Sequence, residues 1–239
     1  AVAGLFFFYR HKQVKNEKQI LTLEQDMLRS QMNPHFIFNS LNSIKLYIIN
    51  NEKENAVYYL NKFSKLIRKI LVASTEKEIS LAEELETMNL YMNIENIRFS
   101  NQINYNYTVE ENINIDVIKV PSLVLQPFLE NALWHGLASK KDDKIINVDI
   151  IKRDPDYVII EITDNGIGRN ASSKIKKNKL LNRKSVGIHL TKKRLENFSK
   201  PFTTNYKLTI EDLYKDNIAA GTKVTIHIPI NEMFKLKTA

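Results

Sequence analysis

"YVIIEITDNGIG", residues 157–168, decides how the second half of the chain folds. An apolar run of strand length meets Asp164, Asn165 and two glycines, Gly166 and Gly168, without a spacer. Runs rich in Ile and Val that end on Asp, Asn and Gly read as a strand closing on a turn. Glycine at such a turn permits positive φ and lets a ligand come close to the backbone. Just upstream, "KIINVDII" (144–151) has the same character, and "KRDPD" between the two runs predicts a hairpin.

Further out the pattern continues. "INYNYTV" (103–109) alternates like a strand, and "YKLTIED" (206–212) and "GTKVTIHIPI" (221–230) read as closing strands. "PSLVLQPFLENALWHGL" (121–137) is helical in pattern, with Pro127 expected to kink it. "VGIHLTKKRLENFS" (186–199) is a further helix. "SSKIKKNKLLNRKS" (172–185) is polar, lysine-rich and without period, so it reads as a loop. Antiparallel strands with helices between them predict an α+β layer domain over about 102–230. Residues 231–239 are a tail.

The first half is helical. "SLAEELETMNLYMNIENIRF" (80–99) opens with a capping-box pattern, Ser80 to Glu83, and gives a connecting helix within 77–101. Residues 13–76 carry two longer helices around the polar break "NNEKEN" (50–55). Val14, Leu21 and Leu28 repeat every seven residues, a short coiled-coil-like stretch. Beyond Pro34 the predicted apolar stripe is Ile37, Leu41, Ile44 and Ile48, with His35, Asn39 and Asn42 opposite. The next helix has Ala56, Leu60, Phe63, Ile67 and Ile70 on one stripe. A hairpin with two such stripes predicts a four-helix bundle built from two copies.

Composition narrows the chemistry. The 239 residues are 43% hydrophobic, enough for a core, and contain no cysteine. Disulfides, thiolate metal sites and a cysteine nucleophile are therefore excluded. The net charge of +8 fits lysine-rich solvated faces, an anionic membrane surface or a phosphate ligand. No basic stripe is interleaved with aromatics, so direct nucleic-acid binding is not expected. "AVAGLFFFY" (1–9) is followed at once by Arg10, His11 and Lys12. Residues 1–12 are read as the inner end of a truncated transmembrane helix with its basic flank. The expected location is the inner membrane, with this chain on the cytoplasmic side.

Four motifs then occur in order: "ENALWHG" (130–136), "TDNGIG" (163–168), "SVGIHL" (185–190) and "GTKVTI" (221–226). Ahead of them stands "NPHFIFNSLNSI" (33–44). Together they resemble a sensor histidine kinase of the LytS type, whose histidine sits in a "PHFxFNxLNxI" box. The second half resembles the Bergerat ATP-binding fold. The resemblance spans about residues 20–230.

The resemblance implies a function and a set of roles. The chain would be the kinase core of a two-component system that uses ATP and Mg²⁺. His35 would accept the γ-phosphoryl group and pass it to an aspartate in a response regulator's receiver domain. Asn131 would ligate Mg²⁺, with Glu130 beside it and His135 as a phosphate contact. Asp164 would accept a hydrogen bond from the adenine amino group. Gly166 and Gly168 would let the loop lie over the nucleotide. Gly187 and Leu190 belong to the helix start that meets phosphate oxygens, and Thr222 would line the adenine end. Asn39, one turn beyond His35, is expected to orient its imidazole or to position a water. The chain departs from the usual family pattern at His189, where glycine is common, and at Trp134, where lysine is common. A Bergerat-fold ATPase and a nucleotide-binding dimeric scaffold are the alternative readings. Pro127 argues against the first, because a water-activating glutamate would stand there.

Overall fold

The structure is a computed structural model that describes Arg10, residues 34–169 and residues 186–230, without the side chains of Pro34, His35 and Val186. The coiled-coil-like stretch, the apolar start and the 172–185 loop lie outside the described residues. Among the described residues, no helix is long and apolar enough to cross a membrane.

Two helices come first, α1 (Pro34–Ile49) and α2 (Lys53–Thr75). On α2 the predicted stripe holds at Ala56, Phe63 and Ile70, joined by the fully buried Leu66, while Leu60 stays 46% exposed. On α1 the predicted stripe divides. Ile44 is buried with Phe36 and Ser40, but Leu41 and Ile48 face outward. The reason is a third helix, α3 (Leu81–Arg98), which packs on both and draws Phe36 inward. Phe36 lies 6.3 Å from Phe63 of α2 and 5.1 Å from Tyr91 of α3, centroid to centroid.

The capping box predicted at Ser80 is present. The Ser80 hydroxyl accepts the Glu83 amide at 3.2 Å, and the Glu83 carboxylate accepts the Ser80 amide at 2.8 Å. Two short strands had no period long enough to read. These are β1 (Glu78–Ser80) and β3 (Lys119–Pro121), which pair antiparallel.

The main sheet has five strands in the order β2 (Ile103–Val109), β4 (Lys144–Asp154), β5 (Tyr157–Asp164), β7 (Ile218–Pro229), β6 (Lys207–Lys215). The β4–β5 hairpin forms as expected. The sheet is mixed rather than antiparallel throughout, because β2 runs parallel to β4. The chain between them crosses over through β3 and the helix that follows, so β4 returns beside the edge strand β2 in the parallel sense.

Alternation fixes the core. Ile146, Val148 and Ile150 of β4, Val158, Ile160 and Ile162 of β5, and Val224, Ile226 and Ile228 of β7 all face one side and are buried. The register aligns them in rows, for example Val148 with Ile162 and Ile162 with Val224. Each contributes roughly 1.5–3 kcal/mol relative to exposure. Helices α4 (Gln126–Asn131) and α5 (Val186–Ser199) cover this side with α3. The architecture is α+β: a helical hairpin followed by helices layered on a mixed five-stranded sheet.

Pro127 does not kink a helix. It stands in the first turn of α4, where its missing N–H leaves no bond unmade. The irregularity comes later, where α4 widens into one π-helical turn, Ala132–Leu137. A buried carboxylate anchors the loop before α4. Glu84, 0% exposed, accepts the amides of Leu123 at 2.8 Å and Leu125 at 2.9 Å. Leu123 has a φ of 56°, so the bend is held by these bonds. Glu84→Ala leaves both amides buried without acceptors, at about 1–3 kcal/mol each. A loss of roughly 3–5 kcal/mol in urea unfolding is expected, and a loss under about 1 kcal/mol would show that the loop closes without Glu84.

Candidate functional site

Period two in β5 places Asp164 in the same row as Val158, Ile160 and Ile162. A carboxylate therefore occupies a position that elsewhere in the strand is core. It is 5% exposed. Its Oδ1 accepts the Gly166 amide at 2.9 Å, and it also accepts the amide and hydroxyl of Thr222, its cross-strand partner. Burial nevertheless pushes its pKa up to about 6, against the pull of these bonds and of Lys140.

Three glycines make room for it. A Cβ on Gly136 would lie 2.7 Å from the Asp164 Oδ1, and one on Gly221 would lie 1.9 Å from the Asp164 carbonyl oxygen. A Cβ on Gly166 would meet the Gly136 backbone at 2.4 Å. The turn is tied to the π-helical segment by the Ile167 amide, which donates to the Gly136 carbonyl at 3.1 Å. Gly168 has a φ of 74° and lies against Ala219. Asn165 secures the strand exit, accepting the Ile145 amide at 2.9 Å and donating to the Asp143 carbonyl at 2.7 Å. Arg169 then pairs through both nitrogens with Asp212 of β6, at 2.9 and 3.0 Å. The glycines of "ENALWHG", "TDNGIG" and "GTKVTI" thus meet around one carboxylate.

The remaining candidate residues are carried by the helices. Asn131 ends α4 and is half-buried, and His135 is exposed on the π-helical turn. Gly187 opens the first described turn of α5 and packs on α4, where an added Cβ would stand 3.4 Å from Pro127. Leu190 is half-buried one turn on, and His189 is exposed. Glu130 is turned the other way, toward α3. Its Oε1 accepts the Gln126 amide nitrogen at 2.9 Å and the Tyr91 hydroxyl at 3.5 Å, and burial raises its pKa. Trp134 is held between Phe99, at 5.2 Å, and the Arg98 guanidinium, at 4.1 Å.

His35 lies in the first turn of α1, and only its backbone is described. Asn39, half-buried on the same helix, accepts the Ser43 hydroxyl at its carbonyl, 3.1 Å away. Among the described residues no cluster of three or more His, Cys, Asp and Glu could hold a metal. Asn131 is suited to a shared Mg²⁺, whose other ligands would be phosphate oxygens and water. The local sequence did not reveal Tyr91, Glu84 or Lys140. Their partners lie 25 to 41 residues away, so no short motif contains both ends.

A buried acceptor at a strand end with glycines closed over it makes Asp164 the candidate contact for a ligand that presents an N–H donor. A sequence model described as "Histidine kinase" matches residues 23–103. The chain is 29% identical over 222 residues to Sensor histidine kinase BtsS of Escherichia coli (strain K12), covering 91% of this chain and 35% of that protein. It is 33% identical over 141 residues to Sensor protein LytS of Streptococcus agalactiae serotype V, covering 59% and 23%. It is 34% identical over 152 residues to Sensor histidine kinase/phosphatase LytS of Staphylococcus aureus (strain Mu50), covering 63% and 25%. The chain thus spans about a third or less of these relatives. Over these stretches the chain is similar to sensor histidine kinases of the LytS and BtsS kind.

Asp164 should titrate with a midpoint near pH 6 in a carbon-detected NMR titration of side-chain carboxyls, and Asp164→Asn should remove that signal. A raised folded pKa stabilises the fold below the ordinary carboxylate range, and the contribution is lost as pH rises through about 6. The same substitution should therefore shrink the fall in thermal stability between pH 4 and pH 6.5. A midpoint in the ordinary carboxylate range would contradict the burial argument.

Proposed function

We propose that the chain is the kinase core of a two-component sensor. It transfers the γ-phosphoryl group of Mg-ATP to His35 and then to an aspartate of a response regulator's receiver domain. The observation that carries this reading is the buried Asp164 carboxylate, walled by Gly136, Gly166 and Gly221. A carboxylate in an apolar slot selects a ligand that presents an N–H donor, such as the adenine amino group. Gly166, Gly168 and Thr222 line that end. Gly187, Leu190 and His135 serve the phosphates, and Asn131 holds Mg²⁺ with Glu130 behind it. Neutral imidazole is a competent nucleophile near pH 7, and the transfer needs positioning and charge neutralisation more than covalent help from the protein. Asn39 supplies a hydrogen bond to the second imidazole nitrogen or positions a water. The latter would give phosphatase activity, the second activity in the name of the Staphylococcus aureus relative.

The domains follow the chemistry: membrane-proximal residues 1–12, histidine helices 13–76, connecting helix 77–101 and ATP-binding domain 102–230. The membrane reading rests on the apolar start and its basic flank.

Incubation with γ-labelled Mg-ATP should give acid-labile, base-stable label. His35→Gln should abolish it at unchanged ATP affinity, and Asn131→Ala should abolish it with loss of Mg²⁺-dependent binding. Label that persists in His35→Gln would sink the assignment.

The helical hairpin forms a homodimer. Phe38, Leu41 and Ile48 on α1 and Val57, Leu60 and Leu71 on α2 are 43–67% exposed, an apolar surface large enough to need a partner. Sedimentation should show a dimer at tens of micromolar (on the order of ordinary dimer affinities), and Leu60→Asp with Phe38→Asp should give a folded monomer. A wild-type monomer under these conditions would refute the bundle.

A further inference from the structure

Tyr91 lies at the middle of α3 and is 2% exposed. Its two ends touch different parts of the reaction apparatus. The ring packs 5.1 Å from Phe36, which follows His35 directly in the chain. The hydroxyl donates to Glu130 at 3.5 Å, and Glu130 directly precedes Asn131. Glu130 is fixed from its other side by Gln126 at 2.9 Å. Phe36 is fixed too, buried to 5% and backed by Phe63. The flanking contacts of α3 belong to the same face, at a spacing of seven residues. Glu84 holds the loop before α4, and Arg98 lies over Trp134 at its far end.

A buried tyrosine hydroxyl needs a partner, so the bond to Glu130 fixes where the ring can stand. The ring in turn fixes Phe36. Phosphoryl transfer is sensitive to displacements of about an ångström between nucleophile and phosphorus. A side chain joining the histidine helix to the nucleotide helix therefore bears on the rate, although it touches neither reactant.

We propose that Tyr91 is a positioning residue for phosphoryl transfer: through Phe36 and Glu130 it holds the His35 helix and the Asn131 helix in one geometry. This rests on the reading of His35 as acceptor and Asn131 as nucleotide residue. Its effect falls on the transfer step more than on adenine binding, because its two contacts, Phe36 and Glu130, lie apart from the residues around Asp164. The ring meets Phe36 through packing.

The test uses Tyr91→Phe, which keeps the ring and loses the hydroxyl, and Phe36→Leu, which keeps the helix and loses the ring contact. Labelling of His35 is followed under saturating γ-labelled Mg-ATP, and the ATP dissociation constant is measured by titration. Each variant should label on the order of five- to tenfold more slowly, with ATP affinity within about twofold of the parent. If Tyr91→Phe does not fold, Phe36→Leu carries the same expectation. Parental rates in both variants overturn the proposal. So does a fall in affinity that matches the fall in rate, because Tyr91 would then merely support the nucleotide helix. Absence of label in the unmodified chain is a different failure: it removes the kinase reading itself, and this proposal with it.

Discussion

The Asp164 carboxylate stands where the alternation of β5 would put another buried aliphatic side chain. Left alone there, it would be too costly to keep charged. Three arrangements make the position tenable. The Gly166 amide and the Thr222 amide and hydroxyl donate to it, Lys140 supplies a nearby positive charge, and glycines at 136, 166 and 221 leave room for the turn to close over it. Even so, burial holds the pKa near 6. An incoming N–H donor would meet an acceptor that the fold has only partly satisfied. The positions of the π-helical turn, the β5 exit and the start of β7 all follow from this one group, because each contributes a glycine to its walls.

A second buried carboxylate has the opposite task. Glu84 spends its oxygens on backbone amides and so fixes the approach to α4. Burial raises its pKa to about 7, with the amides of Leu123, Val124 and Leu125 and the charge of Arg194 pulling it down. Arg194 of α5 also donates to the Ser122 carbonyl at 3.1 Å. The loop before α4 is therefore gripped from α3 and from α5. Helix α3 thus does more than connect. Its inner face carries Glu84, Tyr91 and Arg98, which reach the loop before α4, Glu130 near the end of α4, and Trp134 in the π-helical turn.

Much of this was legible in the residues, for identifiable reasons. Strands β4, β5 and β7 were readable because alternation is local, and Ser80–Glu83 because a capping box is four residues long. Asp164 and the glycines were readable as motifs, but their convergence on one carboxylate was not, since it depends on sheet register. The parallel pairing of β2 was not readable, because pairing direction is set by a distant strand. Pro127 reads as a kink in the sequence, since its neighbours continue the helical pattern on both sides and nothing local marks Gln126 as the start. The split stripe of α1 has the same origin: periodicity reports apolar faces, but not which of two partners, α3 or a second copy, each face serves. The role proposed for His35 rests on resemblance to a family and not on pattern.

The account stands on one chemical claim, that the chain carries its phosphoryl group on imidazole nitrogen. Phosphorus NMR of the chain after incubation with Mg-ATP and removal of nucleotide reads that bond directly. The account predicts a protein-bound phosphoramidate resonance that disappears on brief acidification and survives base. A resonance of a phosphate ester, stable to acid, would place the group on a hydroxyl side chain and contradict it.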